Sequence, residues 1–184
     1  MREFLLLGLL CLIGCHKTAV PSTSCEGGSC SLPYVAPMPE ARDTLVQENW
    51  LFSVPSGGWT QDSTLIPDAA PSPEVKLVLI NDTKNCIVLF VKEKTNNNFS
   101  EYVLGNVQTF GKKGNIVSYA KQVVINNNKF VEVEIDRAPA TLWVWLTVKD
   151  GFGYGFSCGG NNINDAGTEL QDLCHGISET LEIK

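Results

Sequence analysis

Gly155-Phe156-Ser157-Cys158-Gly159 has the spacing G-x-S-x-G. In a nucleophile elbow that spacing turns a strand straight into a helix and lifts the serine hydroxyl to where a base can reach it. Here the base and acid would be His175 and Asp172, three residues apart on one helix. The surroundings oppose this reading. The strand carrying Ser157 leaves a tight hairpin, and a Gly/Asn loop intervenes before any helix. Ser157 also falls on a face of small residues. A buried strand serine is the favoured reading, and a serine hydrolase at Ser157 ranks third among the functions considered. The chain holds two histidines, His16 and His175, so acid–base work by His has few candidates. Gly151, Gly153 and Gly155 lack the G-x-G-x-x-G spacing that cradles a dinucleotide. Asn161-Asn162-Ile163-Asn164-Asp165 offers oxygen ligands but is no EF-hand loop. No His/Cys cluster has a recognised zinc spacing. No catalytic residue, metal or cofactor is assigned. Glu132, Glu134 and Asp136 alternate along one strand face, with Lys121 expected opposite Glu134, which reads as a solvated charge ladder.

The seven cysteines divide by position. Cys158 ends a strand and Cys174 lies on the following helix, so this is the preferred disulfide. Its loop of about 15 residues corresponds to roughly 3 kcal/mol in the chain-entropy model. Cys25 and Cys30, in Cys-Glu-Gly-Gly-Ser-Cys, are a second candidate pair. Cys86 leads an apolar strand and reads as a buried thiol. Cys11 and Cys15 belong to the amino-terminal segment. Phe4 begins an uncharged apolar run that ends at Gly14, too short for the 20 or so residues of a membrane span but the length of a signal-peptide core.

That run closes on Leu12-Ile13-Gly14-Cys15, which resembles the bacterial lipobox at all four positions. The resemblance implies that residues 1–14 are removed and that Cys15 becomes an acylated first residue, carrying a diacylglycerol and palmitate-like chains. Several acyl chains anchor stably, since each buried CH₂ contributes about 0.8 kcal/mol. His16 rather than Asp follows the cysteine, which by the same resemblance favours the outer membrane of a bacterial cell envelope and a periplasmic setting. That compartment is oxidising, so disulfides are expected. The formal charge of -6 argues against nucleic acid and against a polybasic hold on anionic lipid.

Residues 15–47 read as the lipid anchor and a flexible tether, rich in Pro, Ser and Gly and without a sustained period. Residues 48–184 read as one domain. Strands are expected at 49–54, from Trp59 as a return strand, and at 75–80 and 87–92; residues 64–73 form a Pro-rich loop. A mid-chain helix follows, capped by Ser100 and running to about Phe110, ended by Gly111 and Gly114. Two hairpins come next, 116–125 with 130–135 and 142–148 with 152–157. The second turns at Asp150-Gly151, the strongest hairpin signal in the chain. A terminal helix spans 166–181. The Asp150-Gly151 register pairs Lys149 with Phe152, Thr147 with Tyr154, Trp145 with Phe156 and Trp143 with Cys158. One face is aromatic: Trp143, Trp145, Phe152, Tyr154 and Phe156. It is either core under the mid-chain helix or a partner-binding surface. The other face holds Gly153, Gly155 and Ser157, a trough into which the terminal helix is expected to pack. The fold class is α+β with a mainly antiparallel sheet flanked by helices.

Asn49-Trp50-Leu51-Phe52-Ser53-Val54-Pro55, then Gly58-Trp59, the mid-chain helix, Gly153-Tyr154-Gly155-Phe156-Ser157-Cys158 and the terminal Cys174 helix together resemble the Mog1/PsbP-like superfamily, particularly its bacterial lipoproteins. The resemblance spans about residues 48–184 and implies an α/β/α sandwich. It also implies action by protein binding rather than catalysis: a lipid-anchored accessory, assembly or receptor-like factor that meets the membrane through Cys15 and has a protein partner. The alternative is a carrier of a small apolar ligand or lipid, in a pocket between helix and aromatic face.

Overall fold

The computed structural model describes residues 41–47, 49–62, 64, 74–112, 115–161 and 167–184. Cys11, Cys15, Cys25, Cys30, most of the Pro-rich loop and the Gly/Asn loop after Asn161 lie outside the described residues.

Continuous apolar runs buried on both faces build the central strands, alternation marks the outer hairpin, and the turns fix the register. Asp150 and Gly151 both take positive φ, and β8 (Ala140–Lys149) pairs with β9 (Phe152–Asn161) in the expected register from Lys149↔Phe152 to Trp143↔Cys158. Asn126 and Asn127 do the same for β6 (Ile116–Ile125) and β7 (Asn128–Arg137). Ile125 therefore meets Asn128, and Lys121 meets Glu132, not Glu134. The expected register was two positions out because the turn is Asn126-Asn127, not the later pair. The remaining strands are β1 (Arg42–Gln47), β2 (Trp50–Pro55), β3 (Thr60–Gln61), β4 (Glu74–Asn81), β5 (Cys86–Lys94) and β10 (Glu182–Ile183). A seven-stranded antiparallel sheet has the order β3-β4-β5-β9-β8-β7-β6, and a three-stranded one β1-β2-β10. The chain is mainly β with two helices among the described residues.

Helix α1 (Phe99–Lys112) starts on a capping box. Asn98 Oδ1 accepts from the Glu101 amide at 3.0 Å, and Glu101 Oε2 accepts from the Asn98 amide at 3.1 Å. The cap is therefore Asn98 rather than Ser100, and the helix continues through Gly111. Helix α2 (Gly167–Ser178) is followed by β10 instead of running on to Leu181. Trp59 does not start a return strand on β2: β3 joins β4 in the large sheet. Arg42–Gln47, assigned to the tether from composition, forms β1 along the whole of β2, so the folded unit starts before residue 48. Its strand signal is weak because Leu45 is the one apolar side chain that packs against the core.

The two helices cover opposite faces of the large sheet, and each takes the face expected for the other. Cys158 projects from the aromatic face, and its disulfide to Cys174 brings α2 there. The small sheet joins α2 on that side: Trp50 stacks on Phe90, and Phe52 meets Phe156 edge-on. Helix α1 packs over the trough, with Tyr102 against Gly153 and among Val133, Ile135, Leu142, Val144 and Leu146. A Cβ at Gly153 would lie 2.3 Å from the Tyr102 ring, so this approach needs glycine.

Candidate functional site

The register places the sequence-predicted residues on definite sides of the sheet. Trp143, Trp145, Tyr154 and Phe156 are each at most 3% exposed, beneath α2 and the small sheet. Phe152 is half-buried, with Lys92 Nζ 4.5 Å from its ring centroid. This face is core rather than a binding surface, and the cover is α2 and β2, not the mid-chain helix. The reason is area: four large aromatic side chains outweigh any amphipathic use of that face. Trp50, Phe52, Leu170, Cys174 and Ile177 fill the space above it. The pocket that a lipid carrier needs between helix and aromatic face is occupied by side chains.

Ser157 is buried and pairs with Val144 and Leu89 on the α1 side. His175 and Asp172 sit on α2, across the sheet. The sheet separates the hydroxyl from the imidazole, so this set cannot act as an elbow triad.

The acidic row lies on the α2 side, beside the tryptophans. Glu132 is only 4% exposed, so the solvated-ladder expectation fails at this residue. Tyr119 donates a short hydrogen bond to Glu132 Oε1. Lys121 Nζ lies 3.3 Å from the same oxygen, and His175 Nε2 lies 3.2 Å from it without hydrogen-bond alignment. His175 stands edge-on to both Trp143 and Trp145, and Trp143 Nε1 donates to Glu134 Oε2 at 2.9 Å. Burial, and then the Glu132 hydrogen bond, push the Tyr119 phenol above its usual range, so it stays a donor. The cluster joins β6, β7, β8 and α2 around one carboxylate. Sequence reading missed it because it depends on which helix covers the face.

The disulfide is the predicted Cys158–Cys174, with Cα atoms 5.4 Å apart. Cys86 is a buried free thiol, as read from the sequence, and burial pushes its pKa up to about 12. Its Sγ is 3.5 Å from Cys158 Sγ. A surface depression of about 350 Å³ opens between Arg42, Lys84, Glu169 and Asp172. Another, of about 220 Å³, lies at the turn around Pro139. No helix among the described residues is long and apolar enough to cross a membrane.

This arrangement of sheets and helices is a PsbP-like fold. The chain is similar to the solution structure of cyanobacterial PsbP (CyanoP) from Synechocystis sp. PCC 6803, with a TM-score of 0.58 and 11% identity over 85% of this chain and 98% of that one. A crystal structure from Bacteroides thetaiotaomicron is similar at a TM-score of 0.41 and 14% identity, over 73% of this chain and 45% of that one. No protein-family model matches the sequence, and no curated protein does.

Proposed function

We propose that the protein is a lipid-anchored component of a bacterial cell envelope, whose PsbP-like domain acts by non-covalent binding to a protein partner and not by catalysis. The observation that carries the anchor is Leu12-Ile13-Gly14-Cys15 at the end of the apolar run, followed by a Pro/Ser/Gly-rich segment before β1. Support for binding over chemistry comes from the likeness of the domain to cyanobacterial PsbP and from the placement of Ser157 and His175 on opposite sides of the sheet. The acyl chains on Cys15 hold the chain at the outer membrane, as His16 at the next position favours, and the tether lets the acidic domain stand off the surface.

Crosslinking in intact cells, followed by capture of the tagged full chain, tests the binding reading. The expected result is a discrete crosslinked protein partner, reproducible across preparations. Recovery of the uncrosslinked chain alone, at crosslinker levels that trap other envelope complexes, would overturn it.

A further inference from the structure

Cys86 has a chemical neighbour that its place in an apolar strand does not predict. Val88 pairs with Cys158 across β5 and β9, so Cys86 lies diagonally opposite Cys158, on the face toward α2. The two sulfurs are 3.5 Å apart, and Cys174 Sγ completes a triangle whose corners all lie within 4.8 Å. All three cysteines are buried at 0–2% exposure. A free thiol is therefore in van der Waals contact with one sulfur of a disulfide.

We propose that Cys86, Cys158 and Cys174 form a thiol–disulfide exchange site in which Cys86 and Cys174 compete for Cys158. The Cys86 thiol gives up its proton, its sulfur swings into line with the Cys158–Cys174 bond, and the thiolate electron pair attacks Cys158 Sγ. The Cys86–Cys158 bond forms as the Cys158–Cys174 bond breaks. Cys174 Sγ leaves with the bonding pair and takes up a proton. One thiol and one disulfide stand on each side, so no external oxidant or reductant is needed. Binding of a metal by the same three sulfurs is the less economical reading. It needs the bridge reduced first and then several thiolates held in an apolar core.

One feature sets the resting state and another the rate. Diagonal neighbours on antiparallel strands are about 7–8 Å apart, against a usual disulfide Cα range of about 4.4–6.8 Å. The Cys86–Cys158 bridge therefore needs β5 and β9 to shift locally, which favours Cys158–Cys174. Burial also keeps Cys86 protonated, so the attacking thiolate is scarce at neutral pH. Exchange moves the covalent tie from α2 to β5. Helix α2 is then held by its packing and by contacts such as the hydrogen bond from Arg42 Nη1 to the Gly176 carbonyl.

The test uses the full chain, incubated between about pH 7 and pH 9, quenched in acid, unfolded and alkylated at free thiols. Peptide mass spectrometry reads Cys86, Cys158 and Cys174 separately from Cys25 and Cys30. The expected result is label moving in part from Cys86 to Cys174, with an initial rate rising roughly tenfold per pH unit. Cys86→Ser, with Cys86→Ala as a second variant, leaves Cys174 unlabelled. Label confined to Cys86 at every pH overturns the proposal, and so does label arriving at Cys158 instead of Cys174. Labelling of Cys174 in the Cys86 variants as fast as in wild type overturns it too. The wild-type measurement stands whether or not the variants fold.

Discussion

Gly153→Ala tests the seat of α1 most sharply. The added Cβ would lie 2.3 Å from Cε2 and 2.4 Å from Cζ of Tyr102. Carbon atoms settle at about 3.5–4.0 Å, so the ring must retreat by roughly 1 Å. Tyr102 is 5% exposed, and its hydroxyl is hydrogen-bonded to Glu93, so the ring cannot move alone. Overpacking of this kind costs about 1–3 kcal/mol. Replacing Gly by Ala returns about 0.4–1 kcal/mol through the unfolded chain. The expected net loss is about 1–2 kcal/mol, read as a lower guanidinium midpoint in unfolding followed by tryptophan fluorescence. Pairing it with Tyr102→Leu should cost less than the sum of the two single changes, because the smaller side chain vacates the clash. A Gly153→Ala variant as stable as wild type, or a strictly additive pair, would falsify the placement of α1 over the Gly153 trough.

Other outcomes follow from the same geometry. In a Cys86→Ala background, where Cys158 has no second cysteine beside it, replacing Cys174 with Ala should cost about 3 kcal/mol, as expected for opening a loop of this length, read from denaturant midpoints. Tyr119→Phe removes a hydrogen bond to a buried carboxylate and should cost about 1.5 kcal/mol, near the low end for charged acceptors because Lys121 and His175 remain around Glu132. The folded pKa of Cys86 is raised from 9.0 to about 12, so its contribution is fully present below pH 9 and is lost as pH rises through 12. Between those limits wild-type stability should fall by about 1.4 kcal/mol per pH unit more steeply than that of Cys86→Ala, measured by urea unfolding at a series of alkaline pH values.

Both hairpins were legible because their turn chemistry is local, but only Asp150-Gly151 is unambiguous; a run of three Asn leaves the β6–β7 register open by two positions. Asp150-Gly151 dictates the β8–β9 register, and that register already put Cys158 on the face of Trp143 and Trp145. Joined to the Cys158–Cys174 pairing, it assigns α2 to the aromatic face; the small-residue trough does admit a closely packed helix, but that helix is α1. The burial of Glu132 was not legible, because it depends on Tyr119, Lys121 and His175 converging from two other elements. β1 was hidden for a related reason: its pairing with β2 and the reach of Arg42 to Gly176 are long-range contacts that its own residues do not announce. The contact between Cys86 and Cys158 depends on β5 lying beside β9, a long-range pairing that no local pattern announces.

The proposed anchor makes the most direct demand. Cys15→Ser and wild type, expressed at equal levels in a bacterial host, are separated into membrane and soluble fractions, and the membranes are washed with high salt. The account predicts wild type retained in the washed membranes and labelled by a palmitate analogue, with Cys15→Ser unlabelled and released. Equal retention of both chains, or an unlabelled wild type in the soluble fraction, would contradict it.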